Sequence, residues 1–180
     1  MTIIGSDNFE GGAVAGRYLA ASLGGSGNVA VIEGISGHET ADQRRLGFLQ
    51  GIADTPGVRV VASQTANWER DQGFNVFQNM LQAHPAIDAV FACNDMMALG
   101  AIEAIAAAGR TGKIRVIGVD AVDDARKAIE AGTMVASVAQ FPAEMGRLAV
   151  DSAAKLFNGE TLPADQTVRI ELVKKAEAGK

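Results

Sequence analysis

An arginine, a tryptophan, an asparagine, an aspartate and a glutamine stand at comparable places in this chain, each a short distance after an apolar run. After "NVAVIEG" a loop leads to Arg44 and Arg45, and after "VRVVASQTA" come Asn67 and Trp68. "AVFAC" is followed by Asn94, "IRVIGV" by Asp120 and "MVASVA" by Gln140. Arginine offers paired donors, a carboxylate paired acceptors, and a side-chain amide one of each. Such a set suits the neighbouring hydroxyls of a neutral, polyhydroxylated ligand, with an aromatic face left to pack on the C–H face of a pyranose ring. Trp68 is the only tryptophan in the sequence.

Each residue also has a plainer role. Asp120 would serve as the N-cap of "DDARKAIEAG", and Asn94 or Asp95 as the cap of "MMALGAIEA". Arg44 alone reads as a solvated helix residue, Trp68 alone as cover for a core edge, and Gln140 alone says little. The ligand reading rests on convergence of the five types on one edge of one sheet. Strand amino ends carry no comparable ring.

Other chemistries find little support. His38 and His84 have no cysteine or carboxylate partners at metal-ligand spacing, so they read as surface histidines, and no metal site or cofactor is expected. "GGSG" at 24–27 precedes a strand, which makes it a loop and not a phosphate cradle. With no nucleophile elbow and no P-loop, the chain is not expected to be an enzyme. Cys93, inside an apolar run, reads as a small buried hydrophobe.

The elements that must carry the five residues follow from periodicity. Short β-branched runs at 28–33, 58–62, 87–92, 114–119 and 134–139 read as buried strands. Between them, helical spacing covers 9–23, 40–53, 70–83, 96–108, 122–131 and 142–157. The alternation predicts an α/β fold, a doubly wound parallel sheet with right-handed crossovers and helices on both faces. In such open sheets ligands bind outside the carboxyl ends of the strands. Gly24, Gly25 and Gly109 fall just past helix ends, and Pro142 in a first helical turn. The tail is ambiguous: Met145, Leu148, Ala149, Ser152 and Leu156 form a stripe on one helix, and "TVRIELVKK" alternates as a strand, which either completes this domain or belongs to a neighbour.

Bulk properties agree with a globular body. The 180 residues carry a net charge of −5, 48% hydrophobic and 5% aromatic residues. No broad basic field is present, so nucleic acid is not an expected partner. No stretch reaches the roughly 18 consecutive apolar residues of a membrane span, and "MTIIGSDNFEGG" does not read as a secretory signal.

The segments "SDNFEGGAVAGRYLA", "GISGHETADQRRLGF", "QNMLQAHPAIDAVFACNDMMALGAIEAIAAAGR" and "VASVAQFPAEMG" closely resemble the ribose-type branch of the periplasmic sugar-binding proteins that feed bacterial ABC importers. The likeness runs from about Ser6 to Lys174. It implies a type I periplasmic binding protein fold, in which two α/β lobes joined by a three-stranded hinge close on a sugar and are presented to the membrane permease. It places polar sugar contacts at Arg44, Asn94, Asp120 and Gln140 and a stacking contact at Trp68. One residue departs from the pattern: Val119 stands where ribose binders carry an aromatic, which reduces the ring contact there.

The same resemblance implies that this chain is the second lobe, 1–141 plus 166–175. The 142–160 segment is then the crossover helix that packs on a first lobe, and the full-length protein is periplasmic. Without that lobe the helix is expected to fold back on its own domain or to form a homodimer, and sugar affinity to be low. The effector domain of a lactose-repressor-family transcription regulator is the alternative, disfavoured because "GRTGKIRVIGVD" lacks the proline-aspartate stretch those regulators usually carry.

Overall fold

A computed structural model describes residues 2–175. In chain order the elements are β1 (Ile3–Ser6), α1 (Asn8–Ser22), β2 (Gly27–Glu33), α2 (Glu39–Ile52), β3 (Val58–Thr65), α3 (Arg70–Ala83) and β4 (Ala89–Ala92). They continue with α4 (Asp95–Ala107), β5 (Arg115–Asp120), α5 (Asp123–Ala131), β6 (Ala136–Ala139), α6 (Pro142–Phe157), β7 (Asp165–Val168) and β8 (Glu171–Lys174).

Six strands form the main sheet in the order β3-β2-β4-β5-β6-β8. All neighbours are parallel except β8, which runs antiparallel to β6 with Val138 opposite Leu172. Strands covered on both faces need continuous apolar runs instead of alternation, and every residue of β4 and β6 is buried, as are residues 29–32 of β2. The core is closed above the sheet by Phe48 of α2, whose ring stacks on Phe91 of β4 with centroids 4.4 Å apart.

The chain leaves β2 toward β3 and then returns to β4 on the other side of β2, so the winding reverses between β2 and β4. Helices α1 and α2 pack together on one face and α3 and α4 on the other. Glycines set how closely the pairs approach. A Cβ on Gly12 would stand 2.8 Å from the Phe48 nitrogen, and one on Gly73 would meet the Met97 Cα at 2.8 Å. Only bare backbone fits at these crossings, and the α1–α2 contact fixes Arg44 against the start of α1.

The tail departs from expectation. The alternating run after residue 166 is two strands, not one: β7 pairs in parallel with β1 in a separate two-stranded sheet, and β8 joins β6. Arg169 stands between them, 3.0 Å from Glu144 and with its guanidinium 3.8 Å from the centroid of Phe141. Strand β1 had no sequence signal: four residues long and paired only with β7, it leaves Ile3 exposed and shows no buried face. Helix α6 packs against β1, with Ser152 accepting from Gln166 Nε2 at 2.9 Å, and does not fold back on the main sheet. Its Val150 and Phe157 remain 70% and 91% exposed.

Candidate functional site

The five residues singled out above meet at the carboxyl edge of the main sheet. Arg44 lies in the second turn of α2, Trp68 in the loop after β3, and Asn94 between β4 and α4. Asp120 ends β5 and Gln140 follows β6. Contacts join them in sequence. Asn94 Nδ2 donates to the Trp68 carbonyl at 3.1 Å. The Arg44 guanidinium carbon stands 5.7 Å from the Trp68 ring centroid. Arg44 Nη1 is 3.4 Å from Asp120 Oδ1, which also accepts from Gln140 Nε2 at 2.7 Å. This edge includes the reversal between β2 and β4, where doubly wound sheets open a crevice.

Arg44 is not a solvated helix residue. It is 5% exposed, and its Nε and Nη1 donate to Asn8 Oδ1 at 2.9 Å and to the Cys93 carbonyl at 2.7 Å. Asn8, the first residue of α1, thus anchors the guanidinium; "SDN" at the chain start gave only its residue type as a signal. Asn94 is the cap raised for it, its Oδ1 accepting from the Met97 amide at 2.9 Å, and its Nδ2 also holds the Trp68 carbonyl. Asp120 is not a cap: Val122 occupies the N-cap position of α5, without a side-chain capping bond, and the helix starts at Asp123. Cys93 is buried, and burial pushes its thiol pKa up to about 12, so it packs and does not react.

Among the described residues, the non-glycine positive φ angles fall at Asn67, Trp68, Asp120 and Ala121, 52°, 70°, 116° and 52°. Side chains disfavour this region, and each such residue costs on the order of 1–3 kcal/mol and persists only where its surroundings impose it. Two of the four are candidate ligand residues. Trp68 has room because Gly34 follows β2: a Cβ there would lie inside the indole, 2.5 Å from its Cε2. Gly34→Ala is therefore expected to swing the indole outward, lower stability by about 1–3 kcal/mol and red-shift the emission of the sole tryptophan. Fluorescence spectra with urea unfolding check it.

Burial raises the Asp120 pKa, while Arg44 and Gln140 oppose the shift. Within the described residues both donors reach Oδ1, which leaves Asp120 Oδ2, Arg44 Nη2 and Gln140 Oε1 without a protein partner. These supply acceptors and a donor pair side by side, the arrangement that neighbouring hydroxyls require. His38, exposed as its sequence implied, meets Trp68 edge-on at 6.1 Å between centroids. Val119 is 2% exposed within β5, so it offers no ring or surface to a ligand. A separate recess of about 560 Å³ lies at the opposite, amino edge of the sheet, bordered by Arg59, Asp88, Lys113 and Arg115.

An open, mostly parallel sheet with a hydrogen-bonding, aromatic-flanked carboxyl edge defines a class, the α/β ligand-binding lobe. Comparison with known proteins narrows it: residues 1–161 match the periplasmic binding protein domain, and the chain belongs to that family. The ribose import binding protein RbsB of Escherichia coli (strain K12) is 42% identical over 172 residues, covering 96% of this chain and 57% of that protein. The D-allose-binding periplasmic protein of the same organism is 39% identical, covering 93% of this chain and 55% of that protein. Among solved structures, an ABC transporter periplasmic solute binding protein from Actinobacillus succinogenes 130z with bound D-allose superposes with a TM-score of 0.95 at 38% identity, over 97% of this chain and 61% of that one. The chain therefore spans a little over half the length of these relatives. The fold is that of one lobe of a type I periplasmic binding protein.

Proposed function

We propose that this chain is a monosaccharide-binding lobe of the solute-binding component of an ABC importer, with Arg44, Asn94, Asp120 and Gln140 contacting hydroxyls and Trp68 the sugar ring. The observation that carries the reading is the contact series from Asn94 and Trp68 through Arg44 to Asp120 and Gln140, hydrogen-bonded except where Arg44 meets the Trp68 ring, with unused valences on Arg44, Asp120 and Gln140. Relatives named for ribose and D-allose import or binding support the sugar class and favour transport over the repressor reading. In the whole protein, the partners are an ABC permease and a second lobe, and the location is the periplasm. Exposed Phe9, Ile35 and Met96, next in sequence to Asn8, Gly34 and Asp95, offer apolar surface beside the polar centre for such a lobe.

One lobe satisfies only the sugar hydroxyls on its own side and leaves the rest in water, so tight binding is not expected. Titrating this chain with ribose and allose by amide NMR should give saturable millimolar shifts centred on the five residues. No shift at any of them in 100 mM sugar, a level on the order of a hundred times a dissociation constant of about 1 mM, would refute the reading.

The bare α6 face is the second element of the proposal. Val150 and Phe157, seven residues apart on one side of α6, project apolar surface, with exposed Leu156 about 120° round the helix from Val150, and self-association through α6 would cover the Val150–Phe157 side. Sedimentation over a concentration series is expected to show a reversible dimer, lost when Val150, Leu156 and Phe157 are all changed to serine. A monomer at every concentration would refute the dimer.

A further inference from the structure

The sequence places a carboxylate directly after Asn94, and nothing so far has used it. Asp95 is 0% exposed, an unusual position for a carboxylate facing no cation. Its Oδ2 accepts from the Val122 amide at 3.0 Å, and its Oδ1 accepts from the Ser137 hydroxyl at 2.7 Å. That hydroxyl in turn accepts from the Ala121 amide at 3.0 Å. One carboxylate thus fixes two successive amides, one directly and one through Ser137. Those amides immediately follow Asp120, and Asp120 and Ala121 are the two positive-φ residues on this side of the site. The space for Asp95 is reserved from below: a Cβ on Gly118 would collide with its Oδ1 and stand 2.8 Å from Met134 Cε.

We propose that Asp95 is a positioning residue of the ligand site, holding the Asp120–Ala121 backbone in its left-handed turn and so aiming the Asp120 carboxylate along the sheet edge. The proposal rests on the sugar-site reading given above. An acceptor-only group is needed, because Asp95 faces donors at both oxygens. An asparagine has one acceptor oxygen and must turn its NH2 toward either the Val122 N–H or the Ser137 hydroxyl. A protonated Asp95 has a similar defect, since one oxygen becomes a donor. The groups around it are Asp120 on β5, Ser137 on β6, Arg44 beyond Asp120, and Arg126 on α5, whose Nε bonds the Ala121 carbonyl at 2.8 Å. Burial raises the Asp95 pKa to about 7, and the Ser137 and Val122 donors pull against that rise.

The test compares the wild-type chain, Asp95→Asn and Ser137→Ala by amide NMR between pH 5.5 and 8, with and without ribose or allose. In the wild type the Ala121 and Val122 amides should titrate together near pH 7. Neither should titrate in Asp95→Asn, and in Ser137→Ala the Ala121 amide alone should lose its response. Sugar affinity of the wild type at pH 8 should exceed that of Asp95→Asn by about tenfold or more, the loss expected from one charge-assisted hydrogen bond, and the gap should narrow toward pH 5.5. Asp120, the other carboxyl at this edge whose pKa burial raises, is present in all three chains, so the response lost in Asp95→Asn is the part that belongs to Asp95. Ala121 and Val122 amide shifts in Asp95→Asn that match those of the wild type at pH 8, or wild-type sugar affinity of that variant at pH 8, would overturn the proposal. A wild type that binds neither sugar would refute the sugar reading alone, and the amide responses would still decide whether Asp95 holds the turn.

Discussion

Arg44→Ala is expected to remove sugar recognition altogether and to lower folding stability by about 3 kcal/mol, the scale found when one partner of a buried charged network is deleted. The guanidinium holds three acceptors from three parts of the fold: Asn8 Oδ1 on α1, the Cys93 carbonyl after β4, and Asp120 Oδ1 at the end of β5. Truncation leaves the Cys93 carbonyl and Asn8 without their donor in a place water reaches poorly. It also removes the cation that opposes the upward shift of the Asp120 pKa, so Asp120 would move further up and lose charge where a ligand hydroxyl needs an acceptor. Arg44→Lys should not rescue, because an ammonium is a point donor and cannot span three separated acceptors. Urea unfolding of the wild type and both variants, beside the ribose and allose titrations, measures both effects. An Arg44→Ala chain with a wild-type urea midpoint would show that the three bonds contribute nothing net.

How much of this was legible before any coordinates depends on the kind of signal. Buried parallel strands write themselves as apolar runs, so β2 to β6 and the helices between them were readable to within a few residues, and with them the edge at which strand-end residues meet. Short edge strands write nothing. Strand β1 has no covered face, and the tail divides at Arg169 because two different sheets claim its halves, a decision made by tertiary pairing and not by alternation. Within the site, residue types suggested five ligand contacts, but not the geometry beneath them. Gly34 matters through an indole that arrives from a loop more than thirty residues later, and Asn8 through a guanidinium from another helix. The positive φ at Trp68 could not be anticipated, since a bulky aromatic disfavours that region, and aspartate's modest tolerance of it did not single out Asp120. Ser137 did leave a trace: it is the one polar residue in an otherwise apolar strand, "ASVA", and it is there to receive Ala121 and reach Asp95.

The buried Asp95 carboxylate also makes folding stability depend on pH in the direction opposite to most acidic groups. Its folded pKa, about 7, lies above the ordinary aspartate value of 3.8, so the native state binds the proton more tightly than the unfolded chain. Below pH 3.8 both states are protonated, and the contribution to stability is fully present. As pH rises from there the unfolded chain releases its proton first, and stability falls until the native carboxyl has also ionised above pH 7. A separation of about three pK units at 1.36 kcal/mol each is on the order of 4 kcal/mol. Asp120 is shifted the same way and adds to the trend, whereas exposed Asp124, lowered by Lys127, works against it. The effect of Asp95 is therefore isolated by difference. The unfolding free energy of the wild type minus that of Asp95→Asn should fall by several kcal/mol between pH 4 and pH 8, because the asparagine's own mismatched hydrogen bond is the same at every pH. A difference that stays flat over that range would mean that the Ser137 hydroxyl and the Val122 amide fully offset burial. The carboxylate would then be charged throughout, and the turn it holds would be insensitive to pH.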